Sequence, residues 1–100
     1  MITVEIINNK TIKVFGHAGY AEHGSDIVCA SVSTAVYMSI NQIDVFDKLD
    51  FIKYTINDGD VYIEVVREDE IVKKVISNLI FTLRDLELQY PKYIKINEKI

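Results

Sequence analysis

One hundred residues suffice for one domain with one core, and 49% hydrophobic with 26% charged content excludes a disordered chain. Fifteen acids against eleven bases, a net charge of −4, argue against direct nucleic acid binding, which needs a basic face for the phosphates. The same acidic balance suits a basic protein or peptide as partner. No apolar run is long enough to cross a bilayer, and MITVEIINNK alternates and carries charge, unlike a signal peptide. A single cysteine forms no internal disulfide, so no membrane role and a reducing cytoplasm are expected.

Ile2, Val4 and Ile6 alternate with polar residues, Asn8-Asn9 turns the chain, and Ile12 and Val14 alternate again. This period-2 pattern around a turn predicts a first hairpin. A helix is expected to start near Ser25-Asp26, with Ser25 capping an exposed N–H and Asp26 facing the positive dipole end. Val28, Val32, Ala35, Ser39, Ile43 and Phe46 carry it at helical spacing to about Asp47. Tyr54 and Ile56, the turn Asn57-Asp58-Gly59-Asp60, and Val61, Ile63 and Val65 predict a second hairpin. A second helix opens at Glu68-Asp69-Glu70, buries Val72, Val75, Ile76, Leu79, Leu83 and Leu86, and ends at Tyr90-Pro91. Tyr93 to Ile96 forms a last strand.

The expected fold is therefore a single α+β domain over residues 1–100, of order ββαββαβ. Its two long helices cover one face of a mainly antiparallel sheet, a two-layer sandwich. The opposite sheet face would carry Glu5, Lys13, Phe15, Phe51, Lys53, Tyr62, Glu64, Tyr93 and Lys95. That face is either solvated or a self-association surface.

Chemistry concentrates in GHAGYAEHGSDIVCASVS, residues 16 to 33, which holds both histidines and the cysteine. Cys29 is either a small packed hydrophobe or a reactive thiol. Its place near a helix start favours the thiolate, as at known reactive cysteines. Asp26 and Ser33, three before and four after, share its helix face. His17 closes the first hairpin, and within hydrogen-bond reach of the thiol it could take the thiol proton. Gly19 and Gly24 hinge the loop between them, which could order over a substrate. Strict alternation, however, puts His17 on the face of Lys13 and Phe15, away from the helices, unless Gly16 relaxes the strand. The N–H groups at the helix start, that of Cys29 included, are the expected oxyanion donors.

His23, beside Glu22, reads as an exposed loop histidine. Zinc is a competing reading, with His17, His23 and Cys29 joined by Asp26 or Glu22, but it lacks the C-x-x-C spacing of small structural sites. The glycines do not follow a phosphate-loop pattern, and no cofactor is expected.

With its G-H-A element, short glycine-containing loop and D-x-V-C-A helix start, this stretch resembles the signature of the bacterial ribosomal-processing cysteine protease family, Prp (YsxB-like). The likeness extends over the whole chain in length and element order. It implies a homodimeric cysteine endopeptidase of the bacterial cytoplasm. Such an enzyme removes the N-terminal extension of a large-subunit ribosomal protein precursor. By motif position Cys29 matches the nucleophile and His17 the general base. Asp26 and Ser33 match supporting polar positions, and the Gly19–Gly24 loop a mobile segment. The alternative is a non-catalytic ribosome-associated or assembly module in which Cys29 is packed.

Overall fold

The computed structural model describes residues 1–22 and 24–99. Its elements are β1 (Ile2–Ile7), β2 (Thr11–Phe15), α1 (Ile27–Val45), β3 (Ile52–Asn57), β4 (Asp60–Val65), α2 (Glu70–Gln89) and β5 (Ile94–Lys99). This is the ββαββαβ order of an α+β fold. The sheet order is β3-β4-β2-β1-β5. Every pairing is antiparallel except β1 with β5, which are parallel because the α2 crossover returns β5 along the direction of β4.

The alternation that defines the strands also makes the core. Ile2, Val4 and Ile6 are buried across from Val14 and Ile12, while Ile63 and Ile94 extend the same apolar face to either side. Val28, Val32, Val36, Ile40 and Ile43 of α1, with Val72, Val75, Ile76, Leu79 and Leu83 of α2, close over that face. Asn8 and Asn9 take φ of 54° and 55°, the paired left-handed conformation of a tight hairpin turn. Among the described residues no helix is long and apolar enough to cross a membrane.

Local details depart from the sequence expectation. Asp26, not Ser25, is the N-cap of α1, and the helix begins at Ile27. A carboxylate accepts from two helix N–H groups at once, whereas the Ser25 N–H is used in a turn to the Glu22 carbonyl. Asp69 caps α2 in the same manner, and Glu68, just before it, pairs with Lys10 at 2.9 Å. Phe51 and Tyr93 do not lie on the outer sheet face, because each comes one residue before its strand. Phe51 ends a short 3-10 turn (Leu49–Phe51), packs on the core and lies under Lys48 and Arg67 at 4.8 and 4.5 Å. Tyr93 also packs on the core. The outer face is instead laced with opposite charges: Glu5 bonds Lys99 at 2.9 Å, and Glu5 lies across from Lys13 and Glu64 from Lys53.

Candidate active site

His17 owes its direction to Gly16. Strand β2 ends at Phe15, and Gly16 then takes φ +93°, which turns the chain out of the alternating pattern. The His17 side chain consequently lines the cleft beside α1 instead of the outer sheet face. A Cβ on Gly16 would stand 2.5 Å from the Met1 carbonyl oxygen, so sterics and backbone conformation both demand glycine. Gly16→Ala is expected to cost about 2 kcal/mol or more, from left-handed strain of roughly 1–2 kcal/mol plus the clash. A thermal melt alongside peptide cleavage should show stability and activity falling together.

Cys29 sits in the first turn of α1, half-buried, and its Sγ accepts the Ala18 backbone N–H at 3.3 Å. The residue after His17 thus reaches back to the sulfur, so the histidine segment and the helix start are tied at the thiol itself.

Asp26 holds the surrounding backbone. Only 8% exposed, it accepts from Val28 and Cys29 through Oδ1, both at 3.0 Å. Through Oδ2 it accepts from Tyr20 at 2.9 Å and Ala21 at 3.3 Å. Burial pushes its carboxyl upward, but the bonds from Cys29, Ala21, Tyr20 and Val28 outweigh this and hold it below the ordinary carboxylate range. One charged group therefore fixes both the helix start and the loop. The Cys29 N–H is bound to Asp26, so it does not stand open for an oxyanion, contrary to the sequence expectation.

A cleft of about 240 Å³ opens between α1 and the β3–β4 hairpin, with His17, Cys29 and Ser33 at one end. Its walls include Val36, Tyr37 and Ile56. A shallower hollow of about 430 Å³ on the loop side shares His17, Cys29 and Ser33 and adds Gly19, Gly24 and Asp26. Ser33 is exposed and lines both hollows, one helical turn from the thiol. Gly19 and Gly24, at φ +71° and +91°, are exposed and have nothing within 4 Å of an added Cβ. Tyr20 pins the loop edge-on against Tyr90 and Tyr93, with ring centroids 5.9 and 5.1 Å apart.

The structure thus brings His17, Cys29, Asp26 and Ser33 into one place. His23, a candidate in the zinc reading, lies outside the described residues. Among the described residues no three His, Cys, Asp or Glu side chains gather as a metal-ligand set. Sequence reasoning missed Asp58, which lines both hollows, and Tyr20, which anchors the loop. Asp58 read only as a turn residue, and nothing local marks Tyr20. A thiol and an imidazole on one cleft, beside an apolar wall, are the groups that nucleophilic acyl transfer requires.

Comparison with known proteins agrees. The sequence profile of the family described as cysteine protease Prp matches residues 1–95. The ribosomal processing cysteine protease Prp of Staphylococcus aureus (strain Mu50 / ATCC 700699) is 34% identical over 107 residues, covering 99% of this chain and 100% of that protein. The crystal structure of the S. aureus protease with a covalently linked product peptide matches at TM-score 0.89 and 28% identity, over 99% of this chain and 100% of that one. Its complex with a substrate peptide matches at TM-score 0.84 and 27% identity, with the same coverage. A likeness that runs through nearly the whole of both chains, in sequence and in fold, makes this chain a member of the cysteine protease Prp family, and so a cysteine peptidase.

Proposed function

We propose that the enzyme removes the N-terminal extension of a large-subunit ribosomal protein precursor, with Cys29 as nucleophile and His17 as general base. The observation that carries this reading is the shared cleft, which both residues line, with the Ala18 N–H, next along the chain from His17, bonded to Sγ. The relatives are named for ribosomal processing, and the S. aureus protease holds substrate and product peptides.

In the reaction His17 takes the Sγ proton, and the thiolate, held by the Ala18 N–H, attacks the scissile carbonyl. The tetrahedral intermediate collapses as His17 returns the proton to the leaving amine, leaving a thioester on Cys29. Water, deprotonated by His17, then attacks the thioester and releases the acid. Asp26 and Ser33 support the pair: Asp26 by fixing the backbone on both sides, Ser33 as a hydroxyl facing the cleft. The apolar wall at Val36 and Ile56 suits an apolar side chain of an extended peptide, and the loop from Gly19 to Gly24 admits it. The cytoplasm, where the precursor is made, is the proposed compartment.

A homodimer is the proposed assembly. Exposed Met38, Val45, Phe81 and Leu88 on the helices give it apolar surface to bury, and light scattering should return twice 11.5 kDa. The deciding experiment mixes the purified enzyme with the precursor and follows the precursor's mass. Loss of an N-terminal peptide is the expected result, and an intact precursor after prolonged incubation with folded enzyme overturns the reading.

A further inference from the structure

A two-strand hairpin asks its turn glycine for a left-handed backbone and nothing else. Gly59, in the turn Asn57-Asp58-Gly59-Asp60, has that conformation at φ +71°. It also has a neighbour that the hairpin does not require. A Cβ built on Gly59 would lie 2.8 Å from Nε2 of His17, 3.1 Å from Cε1 and 3.5 Å from Cδ2. The edge of the imidazole that carries Nε2 therefore rests against the bare α-carbon of the turn. The backbone makes a second tie at the same point, because the Gly16 N–H donates to the Gly59 carbonyl at 3.0 Å. Strand pairing of β2 with β4 ends at Phe15 opposite Asp60, so this bond extends the ladder one step further, to the residue before His17.

We propose that Gly59 is a positioning residue for the reaction, the β3–β4 turn serving as a backstop that sets the imidazole of His17 over the cleft. The inference rests on the reading of His17 as general base. The two contacts divide the task. The Gly16 bond fixes where the His17 backbone leaves the sheet, and the Gly59 α-carbon fixes how far the ring can swing toward the turn. Any L side chain at position 59 meets Nε2 below the closest approach of real carbon atoms, so the ring or the turn must move. Displacement of a catalytic group by on the order of 1 Å lowers the rate by about 10²-fold. The cost is expected on kcat, because Gly59 acts through the imidazole, while Val36 of the apolar wall stands on α1, away from the turn.

Gly59→Asn separates this role from a turn role, since asparagine tolerates the left-handed conformation yet carries the Cβ. With a precursor peptide, Gly59→Asn and Gly59→Ala are expected to lower kcat by about 10- to 100-fold and to move KM by less than about threefold. A turn role alone would lower the melting temperature and leave kcat unchanged at temperatures where the variant is fully folded. Wild-type kcat in folded Gly59→Asn, together with an inactive His17→Ala, overturns the proposal and spares the base. Full activity in His17→Ala overturns the base reading first. A measurement free of any variant's folding is the nuclear Overhauser effect between the His17 ring protons and the Gly59 α-protons in the wild-type enzyme. Its presence is expected, and its absence overturns the backstop.

Discussion

Cys29→Ala is expected to abolish precursor cleavage, a loss of roughly 10⁴-fold or more, and to leave the fold in place. The thiol is half-buried at the margin of the core, so its removal subtracts one sulfur's packing and the acceptor of the Ala18 N–H. That costs about 1 kcal/mol of stability, well within what a folded domain tolerates. His17→Ala should lose about 10²- to 10⁴-fold, the range of a general base, and its side chain is exposed enough that the core does not feel the change. On the proposed dyad the double variant should be no slower than Cys29→Ala alone. Iodoacetamide gives an independent reading: it should label Cys29 quickly in the wild type and more slowly in His17→Ala. A Cys29→Ala enzyme that shortens the precursor at the wild-type rate would sink the nucleophile assignment.

Much of this architecture is written in short-range pattern. Ile2, Val4, Ile6, Ile12 and Val14 alternate, and all five are buried. The apolar stripes of α1 and α2 fall on the core with boundaries displaced by a residue or two, except that Phe46, expected to end the α1 stripe, is the C-cap and is exposed. What pattern does not carry is pairing and aim. Nothing in the sequence places β5 beside β1, since that neighbour is chosen by how the α2 crossover packs. Ser25 and Asp26 are both good caps, and only the loop geometry selects the carboxylate, which serves Tyr20 and Ala21 as well as the helix. The nucleophile candidate was legible from its place on the helix. Its proposed partner, His17, was legible as a candidate but not in its aim, because strand alternation points it at the outer face and one positive φ at Gly16 reverses the answer. The contact between His17 and Gly59 is further from view still, as it joins the ends of two hairpins through space.

Asp26 variants should show the second large effect, and they test how the site is held together. Alanine removes all four acceptor bonds. Asparagine keeps one oxygen but turns an NH₂ group toward backbone N–H donors, so donor faces donor on the helix side or the loop side. Both variants are expected to melt several degrees lower, to exchange the Tyr20 and Ala21 amide protons faster, and to cleave on the order of 10²-fold more slowly as Ala18 and His17 lose register with Cys29. The pH dependence has a definite sign. Burial raises the Asp26 carboxyl, the four backbone bonds together lower it by more, and the folded value lies below the ordinary 3.8. A depressed folded value means stability that is complete above the unfolded value and lost as pH falls through the folded one. Glu5, Glu68 and Asp69, each held low first by a hydrogen bond to Lys99, Lys10 and Lys48 respectively, add to the same acid loss. They are common to wild type and variant, so the difference in stability between wild type and Asp26→Asn isolates Asp26. That difference should be constant from neutral pH down to about pH 5 and shrink below about pH 4, as protonation converts the wild-type carboxylate into a neutral group like the amide. A gap that persists unchanged through pH 3 in urea titrations would mean that the charge of Asp26 contributes nothing and that its shape alone caps the helix.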